Sequence, residues 1–392
     1  MMIDLLCGGV SERIELPRGV VELQDILDRT PMIRHDAEVT FRLRDGELLR
    51  RVHDTPLFKV MTADLYLLNE FVRRYEGLSQ TEKIAFAALV NRQQPQDLAE
   101  AYPLIKGLDS VPMIRAYDHY QLGRYCIEHE LTPEVRDCPA YVRPCLDAMK
   151  IGKLADEMLG GIFLDGYYCD IEKYVCPDQS LDIPKPDEKL FRLLIGTPDE
   201  HGDENAEWLA LPCEDEEIYE LEFQFNMGLD MLECYRFESA LPTLKVFDLY
   251  GKDELFALNA LAKNLLELDT TAFLKYKAIL KVENLSSFTD AAESLEQMDE
   301  YDFSIVADEA DFAREYLIAV LPEGFDQTPL YDADMHDFGR AILASKGARM
   351  TGYGAVLKNS DLYSPVMDES MRGQISTQCA EPTNEMIGGM SL

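Results

Sequence analysis

The side chains of this sequence best placed to do chemistry are carboxylates. Glu293, Glu296 and Glu300 stand at i, i+3 and i+7, and Asp308, Asp311 and Glu315 repeat that spacing. On a helix each set forms a row along one face. Like charges so placed repel by about a few tenths of a kcal/mol per pair, so a fold gains nothing from them, whereas a cationic partner does. The plainer reading is a solvated face. Other acids gather nearby: Glu214-Asp215-Glu216-Glu217 with Glu220 and Glu222 behind them, and Asp299, Glu309, Asp332, Asp334 and Asp337. Positions 193–235 hold 13 acids and no Lys or Arg, and between Lys281 and Arg340 the only such base is Arg314, against 16 acids. With Asp109, Asp118, Glu128 and Glu130 from the first half, these residues form the candidate surface for a basic target.

No catalytic constellation accompanies them. Acid–base catalysis needs a pocket that splits two pKa values, and no spacing here reports one. The histidines, His35, His53, His119, His129, His201 and His336, are scattered without HExxH spacing. There is no G-x-S-x-G, and the Gly-Gly pairs lack the ending of a phosphate loop. Thr351-Gly352-Tyr353-Gly354 reads as a turn in a sheet. Asp332 to Asp337 superficially resembles the start of a calcium loop, but Asp337 stands where that loop needs glycine. The 9 cysteines include no CxxC pair, and their spacing matches no zinc site. They read as reduced small hydrophobes. The expectation is a protein that is not an enzyme, with no cofactor and no metal.

The chain has 392 residues, 47% of them hydrophobic, enough for two to four modest cores. Its 73 Asp and Glu face 37 Lys and Arg, a formal net charge of −36. That disfavours direct nucleic-acid binding, which needs clustered cations to release counterions, and binding to an anionic leaflet. No apolar run approaches the ~18 residues of a membrane span. The first residues are too few and too acidic for a signal peptide, so a cytoplasmic location is expected.

The elements that position the acids come in pairs. An offset of 190 superposes Leu65-Tyr66-Leu67-Leu68-Asn69 on Leu255-Phe256-Ala257-Leu258-Asn259, and pairs Asp109 with Asp299, Asp118 with Asp308 and Arg124 with Arg314. Leu65, Leu68, Val72 and Tyr75 fall on one helix face, and Leu255, Leu258, Ala262 and Leu265 repeat it. Leu16-Pro17 resembles Leu211-Pro212 at an offset of 195, and Ile151-Gly152-Lys153 resembles Phe338-Gly339-Arg340 at 187.

The fold expected is α+β, an elongated string of small modules written twice. The first copy is a strand-rich module over 1–61, a helical module over 62–108 and a third α+β module over 109–180. A proline-bearing linker, 181–190, leads to the second copy, with modules at 191–248, 249–300 and 301–366, and 367–392 reads as a mobile tail. Glu38 to Arg44 alternates as a strand, and Asp45-Gly46 behind it signals a hairpin turn. The helical modules break near Leu78-Ser79 and Leu268-Asp269, where Ser79 and Asp269 can cap the next helix. Charge divides unevenly: net −9 over 1–180 and net −23 over 191–366. That division argues against a salt adaptation spread evenly over the surface.

The third module carries a family resemblance. Gln121-Leu122-Gly123-Arg124-Tyr125-Cys126, then Leu131-Thr132-Pro133-Glu134-Val135, resembles the ArdA antirestriction family. So do Ile151-Gly152-Lys153, Gly160-Gly161-Ile162-Phe163 and Gly166-Tyr167-Tyr168, the leucine–asparagine helix starts, and Thr351-Gly352-Tyr353-Gly354. An ordinary member resembles one unit where this chain has two, and Ala313 stands at the glycine of the second Leu-Gly-Arg element. The resemblance implies an elongated three-domain DNA mimic of mobile genetic elements that pairs into a curved dimer and occupies the DNA site of type I restriction-modification complexes. Two copies in one chain would then replace two subunits, giving a monomeric pseudo-dimer. At one charge per ~1.7 Å of duplex axis, a net −36 matches roughly 60 Å of DNA. The expected mechanism is competitive, salt-sensitive inhibition in which Glu293, Glu296, Asp299 and Glu300 take part. The alternatives are the same mimicry aimed at a CRISPR or other restriction complex, and a generic acidic adaptor for basic proteins.

Overall fold

Short strands and helices of at most a few turns leave no room for one large sheet. The computed structural model describes residues 1–7, 10–29, 38–44, 46–52, 60–175, 183–185, 188–198, 204–247, 251–322 and 334–366. It is mixed α+β, with four small antiparallel sheets and the helices packed around them. The chain divides into two compact units, residues 1–27 with 34–187, and 28–33 with 188–392. No helix among the described residues is long and apolar enough to cross a membrane. The 367–392 tail, Asp332 and most of the 181–187 stretch lie outside the described residues.

The first unit opens with β1 (Met2–Cys7), β2 (Val10–Glu15), α1 (Val20–Leu27), β3 (Glu38–Leu43), α2 (Gly46–Arg51) and β4 (Met61–Asp64). The sheet order is β2-β1-β3-β4, with Ile3 opposite both Ile14 and Leu43. Ile3, Leu5, Val39, Phe41 and Leu43 alternate into the core, as the period of two requires. On β1's other register, Asp4 accepts hydrogen bonds from Arg13 at 3.1 Å and Arg44 at 2.5 Å. Asp45 of the expected Asp45-Gly46 turn lies outside the described residues; Gly46 begins α2, whose Leu48 is buried, and β3 finds its next partner in β4, beyond that helix.

Helix α3 (Leu65–Gly77) buries Leu65, Leu68, Val72 and Tyr75, the face read from spacing. It stops at Leu78, and α4 (Gln80–Gln93) starts on a capping box: the Ser79 hydroxyl accepts from Glu82 N–H, and the Glu82 carboxylate accepts from Ser79 N–H. Every residue from Ile84 to Val90 is buried, so α4 is the unit's central helix. The ring of Phe86 meets those of Phe71 and Tyr75 at 5.9 and 5.7 Å. After α5 (Leu98–Ala101) come β5 (Met113–Ile114), α6 (His119–Glu128), α7 (Pro133–Arg136), α8 (Ala148–Leu159), β6 (Ile162–Leu164) and β7 (Tyr167–Cys169), with sheet order β5-β7-β6. Helices α6 and α8 cross at two glycines. A Cβ on Gly123 would lie 1.7 Å from the Ala148 carbonyl oxygen, and one on Gly152 the same 1.7 Å from that of His119.

The second unit has β8 (Phe191–Gly196), β9 (Glu207–Leu211), α9 (Asp215–Phe225) and β10 (Glu233–Ser239), in sheet order β10-β8-β9. Helix α10 (Lys252–Leu266) buries Leu255, Leu258, Ala262 and Leu265, and α11 (Thr270–Glu283) starts where Asp269 accepts from Ala272 N–H at 2.8 Å. Then follow α12 (Phe288–Glu296), β11 (Tyr301–Ser304), α13 (Glu309–Val320), α14 (Met335–Lys346), β12 (Arg349–Thr351) and β13 (Gly354–Lys358), in sheet order β11-β13-β12. Thr351 to Gly354 is the turn between β12 and β13, as its sequence suggested. In α14 a Cβ on Gly339 would meet the Glu309 carbonyl oxygen at 1.9 Å and Ala313 Cβ at 3.3 Å.

Each unit also carries a buried asparagine with the same task. Asn69 accepts from the Arg18 N–H at 2.8 Å and donates to the Arg18 carbonyl at 3.0 Å. Asn259 accepts from the Cys213 N–H at 2.9 Å and donates to the Cys213 carbonyl at 3.1 Å. A primary amide presents an acceptor and donors side by side, so one side chain satisfies both backbone groups of a residue that has left the sheet ladder.

Candidate functional site

The acidic surface divides into carboxylates the fold already uses and carboxylates it leaves to solvent. In α9, Glu214 is the N-cap residue, and its N–H donates to the Glu217 carboxylate at 3.1 Å. Asp215, Glu216 and Glu217 fill the first turn, where the positive end of the helix dipole favours negative charge. Asp215 is held by Lys263 at 3.1 Å and by the Asn259 amide at 3.2 Å. Its hydrogen bond raises the Lys263 ammonium above its ordinary pKa. Glu222 accepts from the Leu229 N–H at 3.2 Å. Glu216 and Glu220, one turn apart on α9, are exposed and have no partner among the described residues.

Of the two rows read from spacing, the first is broken and the second lies along α13 with its carboxylates engaged by the fold. Helix α12 ends at Glu296, and Met298–Glu300 is a separate 3-10 turn, so Glu300 is not on the helix of Glu293 and Glu296. Glu300 lies 3.8 Å from the Lys358 ammonium. Glu293, Glu296 and Asp299 are exposed and unpartnered among the described residues. The second row is spent on structure. Asp308 caps α13 through the Asp311 N–H at 2.9 Å, Asp311 binds Arg314 at 2.6 Å, and Glu315 accepts from the Ser304 hydroxyl at 2.9 Å and the Tyr363 hydroxyl at 2.5 Å. Burial, and then that carboxylate, push the Tyr363 phenol well above its ordinary range. Asp334 caps α14 through the Asp337 N–H, Asp337 binds Arg340, and Asp308 and Glu309 both face His336 at 3.9 and 3.8 Å. Cations one helical turn away and free N–H groups at helix starts took what a bare list of acids presented as a row.

In the first unit, Asp118 caps α6 through the Gln121 N–H at 2.8 Å, and Glu130 pairs with Arg143. Asp109, on the 3-10 turn Leu108–Ser110, and Glu128, in the last turn of α6, are exposed without partners among the described residues. Isolated acids that belong to no sequence run join this second class: Glu233, Asp253 and Glu267 are exposed and unpartnered in the second unit. Only their surroundings distinguish them, since acids outside a long run give no signal in the sequence.

One polar cluster escaped the sequence reading. His119 Nε2 lies 3.0 Å from Asp156 Oδ2, and the Tyr168 hydroxyl donates to Asp156 Oδ1 at 2.9 Å. Burial, and then the Asp156 carboxylate, raise the Tyr168 phenol far above its usual range. No serine, threonine or cysteine among the described residues is hydrogen-bonded to His119. The cluster pins α6, α8 and β7 together. Among the described residues no group of three or more His, Cys, Asp or Glu could hold a metal ion. No family model, no curated protein and no solved structure matches this chain.

Proposed function

We propose that this chain is an antirestriction protein of the ArdA kind, a non-catalytic mimic that occupies the DNA-binding channel of a type I restriction-modification complex and competes with the duplex. The observation that carries the reading is the set of exposed carboxylates without cations among the described residues of the second unit: Glu216 and Glu220 on α9, Glu293 and Glu296 on α12, and Asp299 in the 3-10 turn behind it. Uncompensated charge costs a fold and suits a basic partner, because docking releases the counterions of both surfaces and steers the encounter.

The same proposal takes the two units as copies of one three-module set standing in for two subunits, in a monomeric pseudo-dimer. The paired asparagine clamps, Asn69 on Arg18 and Asn259 on Cys213, support it. So do the helix caps Asp118 and Asp308 at the 190 offset, and the crossing glycines Gly152 and Gly339.

The test is competition. A restriction complex bound to the protein is challenged with duplex DNA, for the wild type and for Glu216→Gln/Glu220→Gln/Glu293→Gln/Glu296→Gln. Each exposed carboxylate is worth about 0.2–1 kcal/mol, so the four together should weaken inhibition roughly 4- to 700-fold. Binding to the complex that duplex DNA cannot displace, or an unchanged inhibition constant in the variant, refutes the proposal. Displacement from a different DNA-handling defence complex, such as a CRISPR effector, would keep the mimicry and change the target. Binding to basic proteins without DNA competition would favour an acidic adaptor.

A further inference from the structure

This acidic chain keeps two arginines without an ion-pair partner among the described residues. Arg115 and Arg124 have no hydrogen bond or ion pair among the described residues, and both line one pocket of about 600 Å³ in the first unit. The remaining walls are the rings of Tyr117, Tyr125 and Tyr167, with Gln121, Glu128 and the β6–β7 turn Asp165-Gly166. In that turn φ is +47° at Asp165 and +83° at Gly166, the left-handed pair that closes a two-residue hairpin. The Asp165 carboxylate is already engaged by Arg51 at 2.6 Å. Glu128 is thus the one acid on the pocket wall without a partner among the described residues.

The second unit shows what an occupied version of this corner looks like. At the 190 offset Arg124 corresponds to Arg314, which is neutralised by Asp311 at 2.6 Å. Asp311 corresponds to Gln121, whose amide oxygen instead accepts the Tyr117 N–H at 3.2 Å, and Arg115 corresponds to Ile305. At these three positions the first unit has one more cation and one fewer carboxylate, and its pocket acid Glu128 stands where the second unit has Ile318.

We propose that this pocket binds a small planar anion, an aromatic or heteroaromatic ring carrying one carboxylate or phosphate. The guanidinium fork matches a planar oxyanion in two parallel hydrogen bonds. Tyrosine rings offer faces and edges for a flat ring to stack on. The volume falls in the range of small-molecule sites. A polyanion is disfavoured by the field of a chain with net charge −36, whereas one anionic group, a carboxylate or a phosphate ester, is repelled far less and meets two guanidiniums at contact. This site is independent of the proposed docking surface, and its failure leaves that proposal standing.

The experiment is titration of the full chain, followed by calorimetry and by the tyrosine ring resonances, with benzoate, adenosine 5′-monophosphate and inorganic phosphate alone. Expected is saturable binding of benzoate or the nucleotide in the millimolar range or tighter, with inorganic phosphate at least tenfold weaker. Arg115→Ala/Arg124→Ala should weaken the ring-bearing ligand at least tenfold. Gln121→Asp, which restores the i,i+3 partner present at Asp311, should do so too without removing a cation. Binding of benzoate alone assigns a carboxylate ligand, and of the nucleotide alone a phosphate ester. No saturation with either ring-bearing probe, equal binding by the double variant, or inorganic phosphate binding as well as the nucleotide would each overturn the proposal. Thermal unfolding of the variants at the wild-type midpoint excludes a folding defect.

Discussion

Replacing Asn259 by alanine tests how the acidic α9 is attached to its unit. Asn259 is 1% exposed, and its amide is the partner of both backbone groups of Cys213, the residue just before the α9 cap. Truncation leaves a buried N–H and a buried carbonyl without their partner, each costing about 1–3 kcal/mol. It also removes one donor from Asp215. The expected loss is therefore about 2–6 kcal/mol. The equivalent change at Asn69 should cost less, because the Arg18 carbonyl keeps a second donor, the Arg73 guanidinium at 3.0 Å. One orphaned group instead of two gives about 1–3 kcal/mol. The assay is urea unfolding followed by tryptophan fluorescence. The chain has a single tryptophan, Trp208 on β9, so this signal reports the second unit. Asn259→Ala should move the Trp208 midpoint and Asn69→Ala should not, while far-UV dichroism registers both. Equal costs at the two sites, or a loss below about 0.5 kcal/mol at Asn259, within the noise of an ordinary surface substitution, would refute the reasoning.

Further outcomes are expected elsewhere. Gly152→Ala sets a methyl against the His119 carbonyl oxygen at 1.7 Å, so α6 and α8 must separate, with a loss of about 1–3 kcal/mol or more in thermal unfolding; a wild-type midpoint would mean that the helices do not cross there. Hydrogen bonds from Arg44 and then Arg13 hold the Asp4 carboxyl below its ordinary 3.8. The stability this carboxylate supplies is complete above that ordinary value and disappears as pH falls through the lower, folded one. Asp4→Asn should flatten the acid limb of the stability profile and leave its shape at neutral pH unchanged. Burial pushes the thiols of Cys126, Cys169 and Cys213 up to about 11, 12 and 11. Brief alkylation at neutral pH, read by peptide mass spectrometry, should modify Cys145 and spare those three. Inhibition of a restriction complex should weaken steeply with added salt, as expected for surfaces joined by opposite charge; inhibition indifferent to ionic strength would point to an apolar contact.

What the sequence alone determined is local. The helix faces Leu65, Leu68, Val72, Tyr75 and Leu255, Leu258, Ala262, Leu265 follow from a period that any amphipathic helix must show. The caps Ser79 and Asp269 follow from the backbone N–H groups that every helix start leaves open. The net charge, its concentration in the second half and the α+β class needed no coordinates either. Whether a given carboxylate is free was not legible, because that depends on which cation or N–H arrives within about 3 Å from elsewhere in the chain. Glu315 is claimed by Tyr363 and Glu300 by Lys358, residues 48 and 58 positions away. Gly46, read as half of a turn, opens a helix that buries Leu48. Arg124 drew notice only as part of a motif, until the fold set it beside Arg115 and three tyrosines with no ion pair among the described residues. Charge is a property of composition, but its neutralisation is a property of three-dimensional neighbourhood, and only the tertiary structure assigns neighbours.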